Sequence, residues 1–291
     1  MPPPSSGGVA IGQIIFLMEY LKAFDHDLSS PTYNHLLIES MKHAFADRAA
    51  HMADPSFVRV PVDDLLDKDY LLSIASKINL KKTQESSEYG SFPQLPEDDG
   101  TSHLCVVDER GMVVVATETI NTSFGSLAVV SPYDFLLNNE MDDFSSLKGT
   151  NIYGLVQSDK NLPEPGKRPL SSMTPVILMK DKMPALLVGA SGGPRIITSV
   201  VQSLLNNQWH NLNPIEAIAR GRLHHQWKPD VIYVEEFSQK SISTNELELL
   251  GHEVRARPTI GVVQMIEIKD GLHLPASDPR KGGRPAGINS N

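Results

Sequence analysis

The chain changes its hydrophobic period near residue 100, and this change limits the folds open to it. Before that point apolar residues recur at helical spacing, which predicts helices over residues 9–24, 31–51 and 67–78. After it, two mostly apolar, strand-like runs, 104–107 and 112–120, flank the turn sequence Asp108-Glu109-Arg110-Gly111. Two such runs joined by a glycine-containing turn are typical of a β-hairpin. The sequence therefore predicts a helical part followed by a strand-rich part.

The rest of the chain fits the same plan. Residues 81–100 are polar and rich in serine, glutamate and proline, which predicts a flexible linker. Further elements are predicted as a hairpin from residues 175–179 and 185–188, helices over 194–209 and 214–221, and strands over 231–234 and 262–268. This order favours an α+β fold in which an antiparallel sheet is covered by helices.

Composition excludes several classes of function. The 291 residues carry a net charge of −9, which argues against nucleic acid as a partner because phosphate binding needs a basic surface. The single cysteine, Cys105, excludes an internal disulfide framework and a zinc site with several cysteine ligands. The adjacent His224 and His225 lack a second ligand pair at metal-binding spacing, so no metal site is predicted. Three prolines follow Met1, so no secretory signal is predicted.

Thr101 follows Gly100 at the head of the first predicted strand. If the peptide bond between them is cut, Thr101 becomes N-terminal and carries a nucleophilic hydroxyl and a basic α-amine in one residue. Such an amine has a reference pKa of about 7.7–8, so part of it is neutral at physiological pH. Thr101 also fits the plain start of a strand, and the local sequence leaves both interpretations open.

The first hairpin gives Thr101 polar neighbours. Counting residues from the turn places Thr101 opposite residues 117–119. Because side chains alternate along a strand, Thr117, Thr119 and Asn121 share one face. A polar cluster beside the candidate nucleophile favours a catalytic role for Thr101.

A glycine-rich turn, Gly189-Ala190-Ser191-Gly192-Gly193, lies between a predicted strand and a predicted helix. Backbone N–H groups at such a turn bind anions and can stabilise an oxyanion. The same residues match G-x-S-x-G, the nucleophile elbow of serine hydrolases, with Ser191 as the nucleophile, a fold that requires a parallel sheet. A purely structural turn is the third interpretation, since glycine is often needed there for steric reasons.

Two further polar groups have functional and structural interpretations. The acidic run at residues 138–143 could hold a substrate ammonium or form a solvated turn. Ser171 and Ser172 could bind a carboxylate or lie in a plain loop. Spacing alone favours the turn and the loop.

Several segments, spread over nearly the whole chain, carry a family resemblance in combination. They are Pro2-Pro3-Pro4-Ser5-Ser6-Gly7-Gly8, Thr101-Ser102-His103-Leu104, Thr119-Ile120-Asn121, Leu137-Asn138-Asn139-Glu140-Met141-Asp142-Asp143-Phe144-Ser145, Arg168-Pro169-Leu170-Ser171-Ser172-Met173, Gly189-Ala190-Ser191-Gly192-Gly193, Arg222-Leu223-His224 and Ser277-Asp278-Pro279-Arg280-Lys281-Gly282-Gly283. Together they resemble the γ-glutamyltransferases (γ-glutamyltranspeptidases), a family of N-terminal-nucleophile hydrolases.

The resemblance implies a precursor that cuts itself between Gly100 and Thr101. Thr101 would then transfer a γ-glutamyl group from glutathione or a related compound to water, or to an amino acid or dipeptide acceptor. By the same resemblance, Thr119 would support the nucleophile and bind substrate, and Gly192 and Gly193 would form the oxyanion hole. The glutamyl α-amino and α-carboxylate groups would be bound by Asn121, Glu140 and Asp143. Ser171 and Ser172 would bind the carboxylate. No cofactor is implied.

The implied fold is a four-layer αββα sandwich, truncated at its N-terminal side. Residues 1–100 would be the C-terminal part of a large subunit and residues 101–291 the small subunit, paired as a heterodimer after cleavage. In the family the large subunit extends upstream of the proline-rich opening and carries there an arginine that grips the substrate carboxylate. Family members lie at the plasma membrane, facing outside, or are secreted. A catalytically inactive truncated relative is the alternative to an active enzyme.

Overall fold

The computed structural model describes residues 1–90, 100–145 and 158–287. Its α-helices are α1 Gly7–Tyr20, α2 Pro31–His51, α3 Val62–Leu65, α4 Lys68–Ala75, α5 Arg195–Gln208, α6 Pro214–Ala219 and α7 Thr244–Leu249. Its strands are β1 Thr101–Val107, β2 Val113–Thr119, β3 Val129–Val130, β4 Phe135–Leu136, β5 Val176–Lys180, β6 Met183–Ser191, β7 Leu223–His224, β8 Ile232–Glu235, β9 Val254–Arg257, β10 Val262–Lys269 and β11 Leu272–Ser277. Residues 91–99 of the predicted linker lie outside the described residues.

The central sheet has four antiparallel strands in the order β11-β10-β6-β5. Alternation along β6 separates its two faces. Leu186, Val188 and Ala190 belong to the apolar core shared with α1, α2 and α5. Gly189 faces the opposite way, because a Cβ built on it would collide with the His103 ring of β1. The sheet therefore lies between the helices and the β1–β2 hairpin.

The described residues form three layers: helices, the four-stranded sheet, and the β1–β2 hairpin. On the outer face of the hairpin, Leu104, Val106 and Val114 remain about half exposed, and no helix in the described part of the chain covers them. The mixed helix-and-sheet class predicted from sequence is confirmed. The second helical layer of the expected αββα sandwich is not formed by the described residues.

Most predicted elements are present, with two differences near the N-terminal part. Helix α2 begins as predicted, with the Ser30 hydroxyl accepting from Tyr33 N at 3.1 Å and Pro31 in the first turn. Helix α1 ends at Tyr20 instead of residue 24, because Lys22 adopts a left-handed conformation with φ of 54°. The start of the predicted linker is ordered: Trp227 Nε1 donates to Ser86 O at 2.8 Å.

No helix of the described residues is long and apolar enough to cross a membrane.

Candidate active site

The hydroxyl of Thr119 connects the two residues of the predicted cleavage point. Strands β1 and β2 pair with Thr101 opposite Thr119, within the predicted register. Thr101 Oγ1 donates to Thr119 Oγ1 at 3.1 Å, and Thr119 Oγ1 donates to Gly100 O at 2.9 Å. The same Thr119 oxygen accepts from Asn121 N at 2.8 Å. One hydroxyl hydrogen and two lone pairs are thus fully used.

Close packing fixes Gly100 beside this hydroxyl. A Cβ at Gly100 would collide with the backbone of Asn121 and Thr122, so only glycine fits without a shift. Asn121 is 3% exposed and adopts φ of 73°, a left-handed conformation that asparagine tolerates better than most residues. This bend turns the chain after β2 around Gly100.

His103 follows Thr101 on the inner face of β1. Its Nδ1 lies 2.7 Å from Thr117 Oγ1, and its Nε2 lies 3.3 Å from the Cys105 sulfur. Burial lowers the pKa of His103 to about 4 and raises the pKa of Cys105 to about 12. Both side chains are therefore neutral near pH 7 and pack between the two sheets.

The glycine-rich turn opens helix α5. Gly192 and Gly193 have φ of 132° and 55°, values at which other residues are strained. A Cβ at Gly192 would also lie 3.0 Å from Gly261 Cα. The turn presents backbone N–H groups at the head of a 14-residue helix, where anions are stabilised.

A narrow cleft brings most of the predicted residues together. Its lining includes seven of them: Thr101, Thr119, Asn121, Asp143, Ser171, Ser172 and Gly193. Gly100 and Gly192 line an adjoining pocket that shares Thr101 and Thr119. Glu140 lines neither cavity, although it begins the same 3-10 helix as Asp143. Its buried Oε1 has no hydrogen-bond partner among the described residues, and burial raises the pKa of its carboxyl.

Arg48 of α2 is a functional candidate that the sequence did not reveal. It is 2% exposed, and its guanidinium donates to Ser6 Oγ and Ser172 Oγ at 3.0 and 3.2 Å. Burial lowers the pKa of Arg48 to about 10, although the nearby Asp143 carboxylate acts in the opposite direction. Arg48 is still charged at pH 7. The one signal that could have found Arg48 is its helical spacing, which predicts that this charged residue is buried.

A buried ionic network supports the glycine-rich turn from behind. Arg222 pairs with Asp278 at 2.6 Å and donates to Ile260 O and Gly261 O. Arg280 pairs with Glu235 at 2.5 Å and with Asp278 at 3.0 Å. Residues 222–224 and 277–283, two of the segments that carry the family resemblance, thus hold the loop at Gly261 against which Gly192 packs.

The nucleophile-elbow interpretation of Ser191 is wrong on topology. Ser191 ends β6, and every strand pair in its sheet is antiparallel. An elbow of the serine-hydrolase type needs a parallel sheet. Ser191 instead pairs with Val262 of β10.

The histidines have other partners. His224 Nδ1 contacts Thr198 Oγ1 at 2.8 Å, whereas His225 Nε2 contacts Asp230 at 3.2 Å, so the two rings point to different groups. Three buried side chains that can ligate a metal, those of His35, Glu39 and His252, lie close enough together to surround a metal ion. Their side chains are already used: His35 bonds to His252 and Asn79 O at 2.8 Å each, and Glu39 accepts from Thr83 and Tyr89. We assign them to a buried polar network.

A threonine held behind a glycine at the head of a strand, between packed sheets, is the arrangement expected of the N-terminal-nucleophile hydrolase fold. A solved cephalosporin acylase from Bacillus halodurans shares this fold, with a TM-score of 0.80 at 24% identity over 100% of this chain and 51% of that one. A family model, Gamma-glutamyltranspeptidase, matches residues 1–288. The chain therefore belongs to the γ-glutamyltranspeptidase family.

Individual relatives agree with this membership. The glutathione hydrolase proenzyme of Escherichia coli K12 is 43% identical over 286 residues, which are 96% of this chain and 49% of that protein. A solved γ-glutamyltranspeptidase of Helicobacter pylori is 42% identical with a TM-score of 0.59, covering 62% of this chain and 99% of that one. The chain spans about half the length of the curated relatives it matches.

Proposed function

We propose that this chain is a precursor that cuts its own Gly100–Thr101 bond and then transfers γ-glutamyl groups. The observation that carries the proposal is the Thr119 hydroxyl, which accepts from the Thr101 hydroxyl and donates to the Gly100 carbonyl. The substrate would be glutathione or a related γ-glutamyl compound, and the acceptor water, an amino acid or a dipeptide. Two relatives, from Escherichia coli and Pseudomonas aeruginosa, are glutathione hydrolase proenzymes, which supports this substrate and the processing step.

The geometry favours cleavage by an acyl shift. Thr101 Oγ1 attacks the Gly100 carbonyl carbon and its proton passes to Thr119, while the Thr119 proton moves to the developing Gly100 oxyanion. As the C–N bond breaks and the Gly100 carbonyl re-forms, the hydroxyl proton of the intermediate passes to the Thr101 nitrogen, which becomes a free amine. Water then hydrolyses the resulting ester and leaves a Gly100 carboxylate.

The freed Thr101 amine would act as the base in turnover. Thr101 Oγ1 would attack the γ-glutamyl amide, and the N–H groups of Gly192 and Gly193 would stabilise the oxyanion. The proton taken from Oγ1 would pass to the amide nitrogen, which leaves as a free amine when the C–N bond breaks. Water or the acceptor amine would then attack the γ-glutamyl ester and return the proton to Thr101 Oγ1.

Asn121 and Asp143, which line the cleft, would hold the α-amino and α-carboxylate groups, with Ser171 and Ser172 on the carboxylate. Glu140 lies outside the cleft lining, and its unpartnered oxygen would have to turn toward the cleft to join them.

The two products would stay together as a heterodimer of residues 1–100 and 101–291. Helices α1 and α2, before the cut, share one apolar core with α5 and β6, after it. Ser5 also forms a parallel bridge with Ser171.

Denaturing electrophoresis of the purified 291-residue chain tests the proposal. We expect fragments of 100 and 191 residues (291 − 100 = 191) and release of nitroaniline from a γ-glutamyl nitroanilide. The catalytically inactive alternative predicts an intact chain without release. Ser191→Ala should cleave and turn over like the wild type; loss of turnover in that variant alone would restore the serine-hydrolase interpretation.

Thr119→Ala should slow both cleavage and nitroanilide turnover by about 10²–10³-fold. In cleavage it removes the preorganised donor to the Gly100 carbonyl, and in turnover it removes the partner of the Thr101 hydroxyl. A time course of fragment formation measures the first effect. Thr117→Ala is the matched control, since Thr117 lies on the same strand face but contacts His103 instead. Equal slowing in both variants would contradict a specific role for Thr119.

A further inference from the structure

We propose that Arg48 is a positioning residue that sets the affinity for the substrate carboxylate by orienting the Ser172 hydroxyl. The inference rests on the proposed function and deepens it, because Arg48 donates to Ser172, one of the two serines proposed to bind the substrate carboxylate. Arg48 does not line the cleft and acts through residues that do.

The hydrogen-bond polarity at Ser172 is set by Arg48. An arginine can only donate, so Ser172 Oγ is the acceptor of the 3.2 Å bond from Arg48 Nη2. The serine hydrogen must then point elsewhere, and the structure gives it no acceptor among the described residues. Ser171 is arranged in the same way, because its Oγ accepts from Met173 N at 3.0 Å. Both hydroxyls are left as donors toward the cleft, which is the polarity that a carboxylate needs.

The guanidinium is itself held in place by the segment before α1. Ser6 precedes the first turn of α1 but makes no side-chain cap. Its hydroxyl instead accepts from Arg48 Nε at 3.0 Å and donates to Ser171 O at 3.0 Å. Backbone bonds join the same two segments, from Ser6 N to Ser171 O and from Ser171 N to Pro4 O. Arg48 therefore spans both sides of this contact.

The charges of Arg48 and Asp143 support the same role for Arg48. Arg48 is buried, remains cationic at pH 7, and is close enough to Asp143 for the two charges to interact. Asp143 lines the cleft together with Ser172. A fixed cation behind the serines and a carboxylate beside them match the two opposite charges of an α-amino acid group. Buried Arg48 Nη1 has no partner among the described residues, so the positive field is not fully compensated by hydrogen bonds.

The contact crosses the proposed cleavage point. Arg48 and Ser6 precede Gly100, whereas Ser172 and Asp143 follow it. After cleavage the residue that orients the carboxylate site would belong to the other polypeptide.

The test compares Arg48→Gln, Arg48→Lys and the exposed control Arg59→Gln in the full chain. Arg48→Gln should raise KM for the γ-glutamyl nitroanilide about 10- to 100-fold, the loss typical of a hydrogen bond involving a charged group, while kcat changes less than about threefold. Lysine keeps the positive charge but lacks the planar guanidinium that donates to Ser6 and Ser172 together, so Arg48→Lys should recover part of the affinity. Arg59→Gln should match the wild type, because Arg59 is exposed and its ion pair with Asp64 is also exposed.

Self-cleavage serves as the internal check on folding, because the hydrogen bonds that the described residues show for Arg48 go to Ser6 and Ser172, whereas Gly100, Thr101 and Thr119 bond to one another. Arg48→Gln should form both fragments at the wild-type rate. If neither Arg48 variant cleaves, Arg48 is structural and the inference fails. In a Ser172→Ala background, Arg48→Gln should add little to KM; a full additive increase overturns action through Ser172.

Calorimetric titration with L-glutamate separates this inference from the proposed function. A wild-type chain that cleaves, with Arg48→Gln binding glutamate equally well, refutes the inference and leaves the function intact. A wild-type chain that neither cleaves nor binds glutamate refutes the function and the inference together. Weaker glutamate binding by Arg48→Gln, with normal cleavage, supports both.

Discussion

The Thr101→Ala chain should remain a single polypeptide of 291 residues and release no measurable nitroaniline from a γ-glutamyl nitroanilide. The substitution removes the hydroxyl that attacks Gly100 and, with it, the only route to a free amine at that position. Removing a nucleophile that acts together with its neighbours abolishes most of the rate enhancement, so turnover should fall by at least about 10³-fold. Electrophoresis and the nitroanilide assay measure the two losses.

Thr101→Ser is the matched control for this experiment. Serine supplies a hydroxyl at the same position opposite Thr119, so cleavage and some turnover should persist. Fragments of 100 and 191 residues from Thr101→Ala would rule out the proposed bond cleavage. Turnover by an uncut Thr101→Ala chain would place the nucleophile elsewhere.

Asp278→Ala should lower the free energy of unfolding by about 3–5 kcal/mol, because it leaves the buried Arg222 charge without its carboxylate. Urea denaturation in the uncut Thr101→Ala background measures the effect on one chain. Asp64→Ala is the control, since it breaks an exposed ion pair with Arg59 and should cost less than about 1 kcal/mol. Equal losses in the two variants would contradict the role given to the buried network.

The same carboxylate gives stability a pH dependence. Burial by itself raises the pKa of Asp278, but the charges of Arg222 and Arg280 outweigh burial and hold that pKa below its usual value. A depressed folded-state pKa contributes stability that is fully present above the unfolded pKa of about 4 and is lost as pH falls through the folded value. Asp278→Ala should therefore lose less stability than the parent between pH 5 and pH 3, measured by urea titrations at about those two pH values.

The hairpin register was the most predictable part of the site. Counting residues from the turn at 108–111 placed Thr101 opposite residues 117–119, and the structure pairs Thr101 with Thr119. Both the turn and the strand faces depend on residues that are near in sequence. The β5–β6 hairpin and α5 were predictable for the same reason.

Other parts depend on contacts between distant segments. Strand β11 was not predicted because Pro275 interrupts it, and it forms only as the edge of the sheet, where a missing N–H is tolerated. Strand β9 pairs in parallel with β8 after an intervening helix. Spacing alone favoured a plain loop for Ser171 and Ser172, and their place in the cleft comes from pairing with residues 4–6. Arg48 reaches Ser172 across 124 positions, a distance at which local patterns carry no information.

In the proposed maturation, the shared hydroxyl of Thr119 would couple the pairing of β1 and β2 to the release of the nucleophile. A molecule in which β2 is displaced from β1 would lack the Thr119 hydrogen at Gly100 O, so it would release the Thr101 amine far more slowly. A chain that does become active would already have performed one acyl transfer with the same hydroxyls. Self-cleavage would therefore report correct strand pairing within each molecule before it binds an external substrate.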